Sequence, residues 1–400
     1  MTVSASPFSS APSLLDHIRP QALALPESGI VEVMNYGRRR EGLIPLWAGE
    51  GDLPTPSFIS EAATRSLAAG ETFYTWQRGI PELRAAIARY MSSVYGVPED
   101  LERYHVTGSG MQAIQIALAL TLSAGEEILI PSPSWPNAAA AAEVIGARPV
   151  AVPLSFDPAR GFWLDLDRLE SAVTPRTRCI FINSPANPTG FVAPAETLRG
   201  VLDIARRHGL WIIADEIYGR FYFEEGGLAP SFHEVMDPED RILFVQTFSK
   251  NWAMTGWRLG WIEAHPSLGQ VLENLIQYST SGVAAFMQRA GVTALERGDS
   301  FVTHQIERAR RGRDIVAAGL STSNRVRFAT PPGAFYMFFA IEGESDTRQL
   351  ALRLVDEAGI GLAPGTAFGP GGEAYLRMCF ARGEAQITEA TERLVSWLKK

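Results

Sequence analysis

Lysine is nearly missing from this chain of 400 residues. Of its 36 basic side chains only those at positions 250, 399 and 400 are lysines, and arginine supplies the rest. Chemistry that needs a lysine amine therefore falls to Lys250, because Lys399 and Lys400 are the solvated chain end. Cysteine is as scarce. Cys179 and Cys379 lie far apart and form no Cys-x-x-Cys pair, so neither a disulfide framework nor a zinc site is implied. The six histidines lack metal-ligand spacing. Positive charge is in deficit, with a net −8, which argues against a nucleic-acid-binding surface. No apolar run approaches the roughly 18 residues of a membrane span. Met1 to Ser13 has no basic start and no apolar stretch, so it reads as a mobile tail rather than a secretory signal. No membrane partner is expected, and a reduced cytoplasm is the expected compartment.

What is present is an alternation of short apolar runs and amphipathic stretches. The runs are Glu127–Pro131, Arg148–Leu154, Arg178–Asn183, Trp211–Asp215, Ile242–Thr247 and Leu259–Ile262. Short runs that are apolar on both faces suit a mainly parallel sheet. Between them, Gln112–Leu122 and Pro194–His208 have helical spacing, with Pro194 suited to a first helical position and Gly209 to a stop. Pro331–Ile341 and Tyr375–Ala381 read as strands of a second layer, and Ile387–Lys399 as a closing helix. The fold class expected is α/β. A large domain with a mainly parallel, mixed sheet covered by helices spans 48–300. A smaller α+β domain is built from both termini, 1–47 and 301–400.

Six segments carry possible chemistry. Lys250 follows an apolar strand, where desolvation lowers an amine's pKa and frees a nucleophile. Thr247, Ser249 and Arg258 around it could hold a phosphate dianion, although a loop lysine with a structural arginine fits the same residues. Asp215 ends a strand, where ligands of open α/β sheets bind. It could keep a pyridinium nitrogen protonated, with Tyr218 on the ring hydroxyl, or it could cap a helix. Asn187, in Asn187-Pro188-Thr189-Gly190, could donate to a ring oxygen or simply make a turn. Gly108-Ser109-Gly110-Met111, between a strand and a helix, offers backbone N–H groups to an anion. Arg377, on a strand, could bind a carboxylate bidentately or form a salt bridge. Trp135 could stack on an aromatic ring or sit in a core.

These elements in this order resemble the class I/II aminotransferases, the aspartate-aminotransferase-like group of fold-type I pyridoxal-phosphate enzymes, from about Leu46 to Ala381. The resemblance implies pyridoxal 5'-phosphate as cofactor and gives each residue a role. Lys250 matches the Schiff-base lysine and proton shuttle, Asp215 the partner of the pyridine nitrogen, and Asn187 and Tyr218 the ring-oxygen pair. Trp135 matches the stacking aromatic. Ser109, Gly110, Thr247, Ser249 and Arg258 match phosphate contacts, with Met111 beside them where many relatives carry a lysine or another polar residue. Tyr74 matches a tyrosine lent to a neighbour's phosphate, which implies a homodimer with shared active sites. Gly49 and Arg377, with Asn187, match contacts to the substrate.

The reaction implied is ping-pong transfer of an amino group from an L-amino acid to a 2-oxo acid, with 2-oxoglutarate the expected acceptor. A β-lyase or an aminocyclopropane-carboxylate synthase would share these motifs. So would a ligand-sensing domain of a transcription regulator, but about 45 residues before the catalytic body are few for a DNA-binding domain. For side-chain choice, Arg78 is a candidate second carboxylate contact. Trp47, Phe73 and Trp76 would suit an aromatic or large apolar group.

Overall fold

In the parallel strands, successive side chains point to opposite faces, and the sequence makes both faces apolar. Phe181, Ile213, Leu243 and Val245 pack on one side with Ala113, Ile114 and Ala117 of the helix Gly110–Thr121. Ile180, Ile182, Ile212, Ala214 and Phe244 pack on the other with Leu198, Val201 and Leu202 of the helix Ala195–His208. A strand covered on both faces reads as a continuous apolar run, which is why these strands are visible in the sequence.

The computed structural model describes residues 14–400, so the expected tail Met1–Ser13 lies outside the described residues. Seven strands form the main sheet in the order Tyr104–Thr107, Gly260–Glu263, Ile242–Thr247, Trp211–Asp215, Thr177–Asn183, Glu127–Ser132 and Arg148–Pro153. Gly260–Glu263 runs antiparallel to both its neighbours, and the remaining pairings are parallel. The helix Ala195–His208 stops at Gly209, whose φ of +67° a glycine adopts without strain. Pro194 stands one place before the first helical residue rather than on it. Among the described residues no helix is long and apolar enough to cross a membrane.

A second sheet joins Val326–Phe328, Tyr336–Ile341, Tyr375–Cys379 and Ala363–Pro364, all antiparallel. The strand expected from Pro331 begins only at Tyr336. Two prolines at 331 and 332 cannot donate to a ladder. The segment serves a different neighbour: the Pro332 carbonyl accepts from Phe223 N, and Ala334 N donates to the Phe221 carbonyl. The stretch before Trp47 joins this layer. Ile44–Pro45 pairs in parallel with Ile360–Gly361, and the Leu46 carbonyl accepts from Cys379 N at 2.9 Å. Val33, Ile44, Leu46 and Trp47 thereby share a core with Phe335, Leu354, Leu376 and Leu394.

Trp47 fits because two glycines lie against its ring. A Cβ at Gly37 would meet it at 2.7 Å, and a Cβ at Gly361 would collide with it. Gly361→Ala should therefore lower the unfolding free energy by about 1–3 kcal/mol, the usual cost of overpacking. Denaturant titration checks this, and an unchanged midpoint would contradict the packing described.

Candidate active site

The parallel strands deliver their last residues to one edge of the main sheet. Asn183 and Asp215 are register partners there, and Thr247 ends the adjacent strand. The chain then turns, and Lys250 follows within one turn of Thr247. These ends open into a cavity of about 470 Å³, within the range that holds a small cofactor and its substrate.

Two buried charges of opposite sign face this cavity, and neither forms an ion pair among the described residues. Asp215 is 2 % exposed and accepts a long 3.4 Å hydrogen bond from Ile217 N. Burial pushes its pKa up to about 7, against the smaller opposing effects of that bond and of the Lys250 charge. Arg377 is also 2 % exposed. It donates to Asn187 Oδ1 at 2.9 Å and to the Trp47 carbonyl, while its Nε has no partner. Its guanidinium lies over the rings of Tyr336 and Phe368, 4.5 and 4.9 Å from their centroids.

Lys250 stands on the same cavity wall. Its Nζ donates to the Gly49 carbonyl at 2.7 Å. Burial pulls its pKa down to about 8, so roughly a tenth is neutral amine at pH 7, far more than for a solvated lysine. Tyr218 is buried, its hydroxyl 2.7 Å from that of Tyr336 and its ring 5.9 Å from Lys250 Nζ. A Cβ at position 49 would meet the Tyr336 hydroxyl at 2.5 Å, so glycine there lets the backbone reach both the lysine and the tyrosine pair.

The anion-binding end forms where the helix Gly110–Thr121 begins. Ser109 caps it by accepting from Gln112 N at 2.9 Å, which leaves the earlier N–H groups at Gly110 and Met111 free to meet an anion. Gly110 lies against Thr247, whose hydroxyl is 2.9 Å from that of Ser249. Arg258 completes the group from a left-handed position with φ of +53°, and its Nη1 donates to the Thr255 carbonyl at 2.7 Å. Trp135 and Met111 line the same cavity, both partly buried.

A buried carboxylate lacking a cation, a desolvated amine and a helix N-terminus with two hydroxyls and an arginine suit pyridoxal phosphate, and the unpaired guanidinium of Arg377 beside them suits a substrate carboxylate. The residues present fit that cofactor.

Of the residues singled out from sequence, Gly49, Gly110, Met111, Trp135 and Asn187 line the cavity. Asp215, Tyr218, Thr247, Ser249, Lys250, Arg258 and Arg377 line it too. Ser109 borders it, with its hydroxyl turned to the helix. Tyr74 stands apart from it, 93 % exposed on the surface, and so do Phe73 and Trp76. Arg78 is committed elsewhere, paired with Glu102 and Glu273 at 2.7 Å each. Sequence reasoning missed Tyr336, which reaches the site from a neighbouring strand. It also missed Ile30 and Met34, which reach it from the helix Gly29–Gly37. The signal for that helix was Ser28, which caps it, and the i, i+4 spacing of Ile30 and Met34.

The sequence pattern described as aminotransferase class I and II matches residues 41–394. An aspartate aminotransferase of Pyrococcus horikoshii is 34% identical over 380 residues, covering 94% of this chain and 96% of that protein. An aromatic-amino-acid aminotransferase of Thermococcus litoralis is also 34% identical, covering 93% and 96%. The crystal structure of an aspartate aminotransferase from Thermotoga maritima superposes with a TM-score of 0.89 at 30% identity, over 96% of this chain and all of that one. The α/β architecture expected from the sequence is thus that of known aminotransferases. The chain belongs to the class I and II aminotransferases and is a pyridoxal-phosphate-dependent transaminase acting on amino acids and their 2-oxo acids.

Proposed function

We propose that the residues around this cavity divide the work of transamination as follows, with 2-oxoglutarate as the acceptor. The observation that carries the reading is the pair of buried, unpaired charges, Asp215 and Arg377, with the desolvated amine of Lys250 on the same wall. Bound pyridoxal 5'-phosphate would supply an aldehyde carbon for the substrate amine and a protonated ring that accepts the charge left at Cα.

Asp215 holds the proton on the ring nitrogen, and a cation there relieves its own burial. Asn187 and Tyr218 hold the ring oxygen, and Trp135 covers a ring face. The N-terminus of the helix at Gly110, with Thr247, Ser249 and Arg258, holds the phosphate, while Ser109 keeps that helix start in place and Met111 closes its rim. Arg377 binds the substrate α-carboxylate, and Asn187 holds the guanidinium by accepting from it. Lys250 would take the proton from Cα and deliver it to the cofactor's former aldehyde carbon, on the other side of the transferred nitrogen. A pKa near 8 leaves that amine able to accept a proton without deep cost. Gly49, whose carbonyl accepts from the Lys250 amine, keeps it aimed into the cavity.

We further propose a homodimer in which Tyr74 reaches the neighbour's phosphate. Support comes from the exposure of Phe73, Tyr74, Trp76 and Tyr278, at 84 %, 93 %, 61 % and 88 %. Phe73, Tyr74 and Trp76 lie within four residues of one another, and a group of exposed large aromatics suits an interaction surface. A cytoplasmic setting suits the two buried, unpaired cysteines.

Three outcomes are expected. Lys250→Ala should lose at least about 100-fold in kcat for glutamate formation from 2-oxoglutarate. Turnover retained without an added amine would sink the assignment. Light scattering should return a mass twice that of one chain, and a monomer at working concentration would remove the shared site.

The third concerns Asp215 in the cofactor-free protein. Its folded pKa of about 7 exceeds the usual 3.8, so the group's contribution to stability is full below the lower value and is lost as pH rises through the higher. Asp215→Asn should therefore raise Tm at about pH 8, by an amount that shrinks as pH falls toward about 4. A shift independent of pH would speak against a buried, unpaired carboxylate.

A further inference from the structure

We propose that the part of the cavity left for the donor's side chain accepts an apolar group, aliphatic or aromatic, and disfavours a second carboxylate. The inference rests on the roles given above to Lys250, Asp215, Arg377 and the phosphate-holding residues, which account for the polar interior. The rest of the wall is largely apolar, formed by Ile30, Met34, Trp47, Met111 and Ile114.

Ile30 and Met34 are four residues apart on the helix Gly29–Gly37 and so share one face. Both are partly buried against the core that contains Trp47. Met111 and Ile114 are three apart in the first turns of the helix Gly110–Thr121, Ile114 buried and Met111 packed beside it. The polar side chains of the lining not yet given a task are Glu50, Asn137, Asn183, Thr255 and Tyr336, and of these the exposed ones are Glu50 and Asn137. The Glu50 carboxylate accepts from the Thr255 hydroxyl at 2.9 Å.

Cations decide the case. Among the described residues of one chain, Lys250, Arg258 and Arg377 are the cations that line the cavity, and each already has an assigned task. Arg78 is held by two glutamates away from it. A substrate side-chain carboxylate would therefore meet apolar surface and Glu50, a group of its own sign. Desolvating an ionised carboxylate without a partner is unfavourable, whereas an apolar side chain gains by leaving water. The flexible thioethers of Met34 and Met111 can adapt to aliphatic or ring shapes, which favours a range of apolar donors over a single one.

The test uses the intact holoenzyme and single amino acids without an acceptor, with the first half-reaction followed by the change in cofactor absorbance. Leucine, methionine and phenylalanine should each react with a specificity constant at least about tenfold above that of aspartate. Met34→Arg should cut that ratio by about tenfold or more. If this variant does not fold, calorimetry on the unaltered holoenzyme decides: 3-phenylpropionate binding more tightly than maleate supports the proposal, and the reverse order overturns it. Aspartate reacting as fast as the apolar donors also overturns it, and a cation contributed by a second copy of the chain would give that result. If no amino acid changes the absorbance, the roles assigned to Lys250 and its neighbours fall instead.

Discussion

Everything around the cavity is arranged to keep two opposite charges buried and apart. A buried ion without a counter-ion is among the most costly features a fold can carry. The obvious remedy would be to let Asp215 and Arg377 meet. They do not, because they belong to different sheets. Asp215 ends a central strand of the main sheet, and Arg377 lies in the middle of a strand of the smaller one. Each is fixed by backbone pairing on both sides, Asp215 between Asn183 and Val245, and Arg377 between Phe338 and Ala363. In the roles proposed above, the separation leaves each charge a different partner, one from the cofactor and one from the substrate.

Lys250 depends on the same arrangement. Its amine reaches across to the Gly49 carbonyl, which belongs to the segment that follows the short strand Ile44–Pro45. That segment is tied to the smaller sheet through Leu46 and Cys379, and to Arg377 through the Trp47 carbonyl. One stretch of backbone, residues 46–49, thus touches the lysine and the arginine together. Desolvation of the amine follows from closing this stretch over it, so the lowered pKa of Lys250 is a product of tertiary packing.

Legibility in the sequence followed burial. The strands of the main sheet could be read because both their faces are apolar, and Asp215 and Lys250 could be placed because polar residues interrupt or follow such runs. The second sheet was read less well: Pro331–Ala334 looked like strand and is not, since its backbone bonds go to Phe221 and Phe223. Tyr336 was invisible as a site residue because its nearness to Arg377 and Gly49 depends on pairing between strands almost 40 positions apart. Ile30 and Met34 lay in a segment whose partner could not be chosen from pattern alone. In Lys250 the scarcity of other lysines did what local motif could not, by removing every competitor within the body of the chain.

The two glycines that flank Trp47 have a consequence for how this protein can change over time. Gly37 and Gly361 lie outside the cavity lining, one on the N-terminal helix and one on a peripheral strand. Yet the ring they clasp forms part of the cavity wall, and the carbonyl of the same residue steadies Arg377. On the apolar subsite proposed above, inherited variation at either glycine would reach the choice of substrate by tilting that ring, without altering a residue of the lining. A lineage selected for new donors could therefore carry its decisive changes in the core behind the cavity, where a comparison confined to cavity residues would overlook them.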